Sequence, residues 1–205
     1  MLRAGTYESS VFINCPFDSE YWPLFEAITF SVYHCGFFPR CALEVDDSSQ
    51  VRIQKITDII RGSRLSIHDI SRTESDGDPP LPRFNMPLEL GLFMGAKAFG
   101  VGDQKRKAGM ILDAEKYRFQ RYISDIAGQD IRAHGGDPDV VIRHVRNFLV
   151  TQSRRSLYVP GPEKVIQRFH QFRAELPVSC AAVHIDRSDL SFPDLLHFVA
   201  GYTAS

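Results

Sequence analysis

Strand-like and helix-like segments alternate five times over about 150 residues of this chain, and that alternation excludes most architectures before any single side chain is weighed. VFIN, residues 11 to 14, is a short β-branched and aromatic run stopped by Pro16, which reads as a buried strand. Asp18 stands where it can cap a first helix, EYWPLFEAITFSVYHCG. In it Leu24, Ile28 and Val32 recur at helical spacing, Pro23 falls in the first turn and Gly36 closes the end. FFPRCALEV predicts a weaker second strand. Val51, Ile53, Ile56, Ile59 and Ile60 mark a second amphipathic helix that ends near Gly62, and RLSIHDIS predicts strand three. An Asp-, Gly- and Pro-rich loop, TESDGDPPLP, leads into RFNMPLELGLFMGAKAFG, a third helix with Asn85 and Pro87 as start signals. AGMILD predicts a fourth strand, YRFQRYISDIAG an irregular fourth helix and DIRAH a short fifth strand. DPDVVIRHVRNFLV is a fifth helix, capped by Asp137 with Pro138 at its first position. Parallel strands need crossovers of this length, so the expected architecture for residues 1 to 150 is an α/β fold with a flavodoxin-like, doubly wound, five-stranded parallel sheet.

Residues 151 to 205 break the alternation. TQSRRSLYVPGP reads as a linker, and PEKVIQRFHQFRAEL and SFPDLLHFVAGYTAS as two amphipathic helices. Such a helical extension either packs on the domain or offers a surface for assembly, so a homo-oligomer is one expectation.

Composition narrows the partners more than it names them. With 24 basic against 25 acidic residues, the electrostatic footprint of a dedicated nucleic-acid binder is missing. MLRAGTYESS has no apolar export segment and no run of about 18 apolar residues occurs, so the chain is expected to be cytoplasmic and not to meet a membrane. Cys15, Cys35, Cys41 and Cys180 fall at irregular spacings without a C-x-x-C pair, which predicts buried thiols rather than a zinc site or a disulfide framework. No metal and no cofactor is expected.

In a doubly wound sheet the ligand crevice lies beyond the carboxyl ends of the strands. Polar residues cluster there: Asn14 and Asp18 after strand one, Glu44, Asp46 and Asp47 after strand two, His68 and Asp69 ending strand three, and Arg83, Asn85 and Glu89 at the start of helix three. Glu89 supports two readings. A carboxylate in a helix's first turn is favoured by the macrodipole with no function attached. Yet Leu88, Leu90, Leu92, Phe93 and Met94 surround it with apolar groups, so it should be buried, and a buried carboxylate either pairs, with Arg83 or Lys55, or faces a cleft. Arg52 and Lys55 share a helix face and could meet a phosphate, though such cations are usually solvated. DQKRK (103 to 107) reads as a solvated loop, and AHGGDPD is loosely like a phosphate loop but lacks both glycine fingerprints.

VFINCPFDSEYWPLFEAI resembles the opening of TIR-like domains, a "vFIS" strand followed by a short loop, an acid and the first helix. ELGLFMGAKAFG resembles the helix of the nucleoside 2-deoxyribosyltransferase-like and TIR-like superfamily that carries a glutamate, a glycine two residues on and then small residues. The likeness spans residues 10 to 150 in element order, and Met86-Pro87-Leu88 replaces the Gly-Thr that precedes the deoxyribosyltransferase glutamate. The resemblance implies cleavage of an N-glycosidic bond in NAD or a nucleoside, in bacterial defence or signalling, with Glu89 as catalytic group. It also implies Asp69 as a substrate-binding aspartate. Asn14 and Asp69 would hold ribose hydroxyls and Arg83 would meet a phosphate or steer Glu89, with Asp18 and Asn85 as further substrate-binding residues. A non-catalytic nucleotide-sensing module and an assembly domain are the alternatives.

Overall fold

A computed structural model describes residues 5–73, 75–76, 81–153 and 158–204; parts of the expected Asp/Gly/Pro loop (74, 77–80) and of the linker (154–157) lie outside the described residues. Five strands, β1 (Ser10–Asn14), β2 (Phe38–Arg40), β3 (Leu65–Asp69), β4 (Ala108–Asp113) and β5 (Ile131–Ala133), form an all-parallel sheet in the order β2-β1-β3-β4-β5. That is the flavodoxin-like α/β order. A short antiparallel pair, Ser75–Asp76 with Leu81–Pro82, stands apart from it. Register sets Asn14 beside His68 and Asp69 beside Leu112, so the carboxyl ends of β1, β3 and β4 finish level.

Strand alternation sorts the core into two faces. Val11, Ile13, Leu65, Ile67, Met110 and Leu112 pack with helices α1 (Trp22–His34) and α4 (Pro138–Gln152). Phe12 and Ile111 face the other way, onto α2 (Arg52–Arg61) and α3 (Asn85–Phe99). Pro39 is tolerated because β2 is an edge strand. Asp137 caps α4 by accepting from the Asp139 amide at 2.8 Å, with Pro138 at the first position.

Four expectations are corrected. Asp18 does not cap α1: its carboxylate accepts from the Tyr21 amide at 3.0 Å and closes the turn before the helix, which starts at Trp22. Helix α3 is not apolar-buried all round, because it lies outside the sheet; Met86, Leu90 and Phe93 face inward while Leu88 and Phe99 are exposed. Lys107 of the supposedly solvated DQKRK run is buried. Its ammonium donates to the carbonyls of Ile60 at 2.6 Å and of Ser63, at the end of α2, and desolvation lowers its pKa to about 8. The fourth helix does not form: Arg118–Arg121 and Ser124–Ile126 are short 3₁₀ turns, entered through Tyr117 at φ +63°. Here the side chains override helical pattern. Arg118 reaches Asp113 at 2.6 Å and the carbonyls of Ile70 and Ser71 at 3.1 and 2.7 Å, and Tyr122 donates to the Ile70 carbonyl at 3.0 Å, so this segment follows the strand ends.

Helices α5 (Pro162–Ala182) and α6 (Phe192–Ala204) join the same core as α1. Helix α5 runs past its predicted end at Leu176, with Pro177 inside it. The α1 side chain Phe30 stacks on Phe172 at 5.3 Å between centroids and meets Phe169 at 5.6 Å. Glu26, in the middle of α1 and fully buried, is the electrostatic tie. Arg187 donates to its two oxygens at 2.8 and 3.0 Å, Arg173 lies 3.5 Å away and the Trp22 indole donates at 3.1 Å. Burial pushes the Glu26 pKa up, and the two arginines oppose that shift without cancelling it.

Arg187→Ala should lower unfolding stability by about 2 kcal/mol, short of the full cost of stripping a buried charge because Arg173 remains. Adding Glu26→Gln should recover most of that loss in a denaturant cycle. A loss unchanged by Glu26→Gln would show that Arg187 acts through packing instead.

Candidate functional site

The carboxyl edge of the sheet is organised by Asn14. Its Nδ2 donates to His68 Nδ1 and to the Met86 carbonyl, both at 2.9 Å, which ties the ends of β1 and β3 to the first turn of α3. The Met86 carbonyl can only accept, so it fixes which way the amide points and makes His68 Nδ1 an acceptor. Both Asn14 amide hydrogens are spent on the protein, and its buried Oδ1 is the atom left without a partner. Any ligand contact by Asn14 is therefore limited to accepting a hydrogen bond.

One residue beyond that first turn sits Glu89, 5% exposed and without a hydrogen bond or ion pair among the described residues. Burial drives its pKa from 4.5 to about 7, and Arg52, at the start of α2, is the cation that opposes the shift. The pairing expected with Arg83 or Lys55 is not made. Lys55 donates to the Val45 carbonyl at 2.6 Å, and the charge of exposed Arg83 bears on Asp18. Asn85, also exposed, opens α3.

Asp69 approaches the same edge from the opposite face. It shares the parity of Leu65 and Ile67, which face α1, and is fully buried. It accepts from the Tyr21 hydroxyl at 2.6 Å and the Ser71 amide at 2.8 Å, and His134 Nε2 lies 3.1 Å from it, off the line of a hydrogen bond. Burial opposes its charge, but nearby His134, with the Ser71 and Tyr21 donors, outweighs burial and holds the carboxyl below its usual range. Outside it is a cavity of about 310 Å³ lined by Tyr21, Ser71, Arg72 and His134. The groups presented there are the tyrosine and histidine that Asp69 orients. Asp18 and Glu20 hold Arg72 at its rim, at 2.7 and 2.8 Å.

The expected single constellation is thus two half-sites. Glu89 lies with Arg52 on the α2–α3 side, and Asp69 with Tyr21 and His134 on the α1 side. Cys15, just past β1, lies between them: burial raises its thiol pKa well above the usual range, reinforced by Asp69, Cys41, Glu89 and Asp18. The thiol stays protonated, so it is no nucleophile. Glu44, expected in the crevice, is spent on an ion pair with Arg40.

Tyr21 and His134 were not singled out by sequence reasoning, and Arg52 was expected only as a cation for a phosphate, not as the charge acting on Glu89. His134 follows β5 directly, so the rule that draws ligand residues from strand ends identifies it. Its glycines explain AHGGDPD: Gly135 and Gly136 take φ of +59° and +76°, and the Gly136 amide donates to His134 Nδ1 at 2.9 Å. Tyr21 carries no comparable signal.

The chain matches no protein-family model, no curated protein and no solved structure. Among the described residues no helix is long and apolar enough to cross a membrane.

A carboxyl whose folded pKa is about 7 against an ordinary 4.5 keeps its proton in the folded state across a window where the unfolded chain has lost it. Its contribution to stability is full below pH 4.5 and falls as pH rises to about 7. Glu89→Gln should flatten that decline and make the fold more stable at pH 8, by up to about 3 kcal/mol. Urea titrations at pH 4.5 and 8 measure this; a variant less stable than wild type at pH 8 would mean that the carboxylate is a paired structural group.

Proposed function

We propose that the crevice beyond β1 and β3 binds a nucleoside or nucleotide, and that Glu89 acts on its N-glycosidic bond, with NAD the first substrate to test. The observation that carries this reading is a buried carboxylate with no protein partner at the switch point of a doubly wound sheet, where such folds hold their ligands. The likeness of ELGLFMGAKAFG to the glutamate-bearing helix of the deoxyribosyltransferase-like and TIR-like superfamily supports it.

As the bond from the anomeric carbon to the base nitrogen breaks, its electron pair leaves with the base and positive charge develops on the sugar. An ionised Glu89 stabilises that charge, or bonds to the anomeric carbon, and water then completes hydrolysis. In a poorly solvated site this stabilisation far exceeds what the same carboxylate gives in water. Arg52 supplies a cation for a phosphate, and Tyr21 and His134 offer polar groups across the strand ends. Asp69 holds those two in place and serves as a positioning residue.

Incubation with NAD and a panel of nucleosides, with mass detection of free base, should show release by wild type and none by Glu89→Gln. Because the ionised form does the work, kcat/KM should rise with pH through about 7. Arg52→Ala removes the opposing cation and should shift that rise to higher pH. Retained activity in Glu89→Gln, or a rate that falls through the same range, excludes this role; binding without base release leaves a sensor.

A further inference from the structure

Between β4 and β5 the chain makes 3₁₀ turns in place of a helix, and Gly109 of β4 is left exposed. A cavity of about 550 Å³ occupies that place, a volume typical of small-molecule sites. Its walls are Leu90, Phe93 and Met94 from α3 and Ile111 from β4; Lys97 and Lys105 also line it, with exposed side chains, and Gln129 stands among them. Neither lysine makes an ion pair or hydrogen bond among the described residues.

His68 also lines this cavity and is itself fully buried. Desolvation lowers its pKa to about 3, so the ring is neutral, and since Nδ1 accepts from Asn14 the proton resides on Nε2. Nε2 is buried and has no partner. The ring is clamped edge-on by Phe12 and Phe93, at 5.8 and 5.2 Å between centroids, so it cannot swing away to find one. A buried donor left unmet is destabilising, and a ligand acceptor would relieve it.

We propose that this cavity is a second ligand site, distinct from the site proposed around Glu89, for a flat apolar organic anion. An acceptor atom at one end would take the His68 Nε2–H, the ring system would lie against Leu90, Phe93 and Ile111, and a carboxylate at the other end would meet Lys97 and Lys105. Three features converge on one chemistry: a buried imidazole donor without a partner, apolar walls and two cations at the lining. Glu89 is not among the residues that line this cavity, and the charge acting on it is Arg52 of α2.

Quinoline-6-carboxylate combines these features, with a ring nitrogen at one end and a carboxylate at the other. Calorimetry on the full chain at pH 7.5 should show it binding, and ¹⁵N-histidine spectra should show the His68 Nε2–H shifting. Naphthalene-2-carboxylate, which lacks the acceptor, should bind roughly three- to tenfold more weakly. Quinoline-6-carboxamide, which lacks the charge, should also bind more weakly, and the preference for carboxylate over carboxamide should vanish in Lys97→Gln/Lys105→Gln. Ala98→Trp, at the cavity lining, should abolish binding, whereas Glu89→Gln should leave it unchanged. No binding at millimolar probe, an unmoved His68 signal, or a carboxylate preference that survives loss of both lysines would overturn the proposal.

Discussion

The amide of Asn14 is the joint on which both candidate sites depend. Its two hydrogens are committed in two directions, one to β3 and one to α3. The bond to Met86 anchors the first turn of α3 and so sets where Glu89 stands. The bond to His68 fixes the imidazole tautomer and so places a donor in a cavity on the other side of the same helix. A buried amide has few ways to satisfy itself, which is why one side chain can impose order on three elements.

The treatment of buried acids separates Glu89 from the rest. Among the described residues, Glu26, Asp69, Asp113 and Glu89 are the buried carboxylates. Glu26 is held by two arginines and an indole, Asp113 by Arg118 and Tyr122, and Asp69 by a hydroxyl, an amide and a histidine. Glu89 has only the distant charge of Arg52. A fold able to partner three buried acids and leaving a fourth without donors has kept a destabilising feature, and strain of that kind concentrates where ligands are handled.

Sequence pattern reveals most of the sheet because strand periodicity and crossover length are local properties, and β1, β3, β4 and α4 with its Asp137 cap are read directly from it. Two of the failures share one cause. YRFQRYISDIAG has helical spacing, yet Arg118 and Tyr122 are drawn to Asp113 and the Ile70 carbonyl, partners that no local window contains. Lys107 looks solvated beside its charged neighbours until the end of α2 is brought over it. Glu89's place near the carboxyl edge was legible, since a helix after β3 must start there, although it stands one residue past the first turn in which it was expected. Which face Asp69 takes was a matter of strand parity, and Tyr21, whose hydroxyl fixes it, becomes visible only when α1 is laid on the sheet.

The ion pair between Glu26 and Arg187 spans 161 positions of sequence. During synthesis α1 emerges well before the segment that carries Arg187, so its acid meets that guanidinium only long after the helix has been made. Until then the helix is left with a charge it cannot bury and a phenylalanine face with nothing to cover it. Contacts of such long range slow folding.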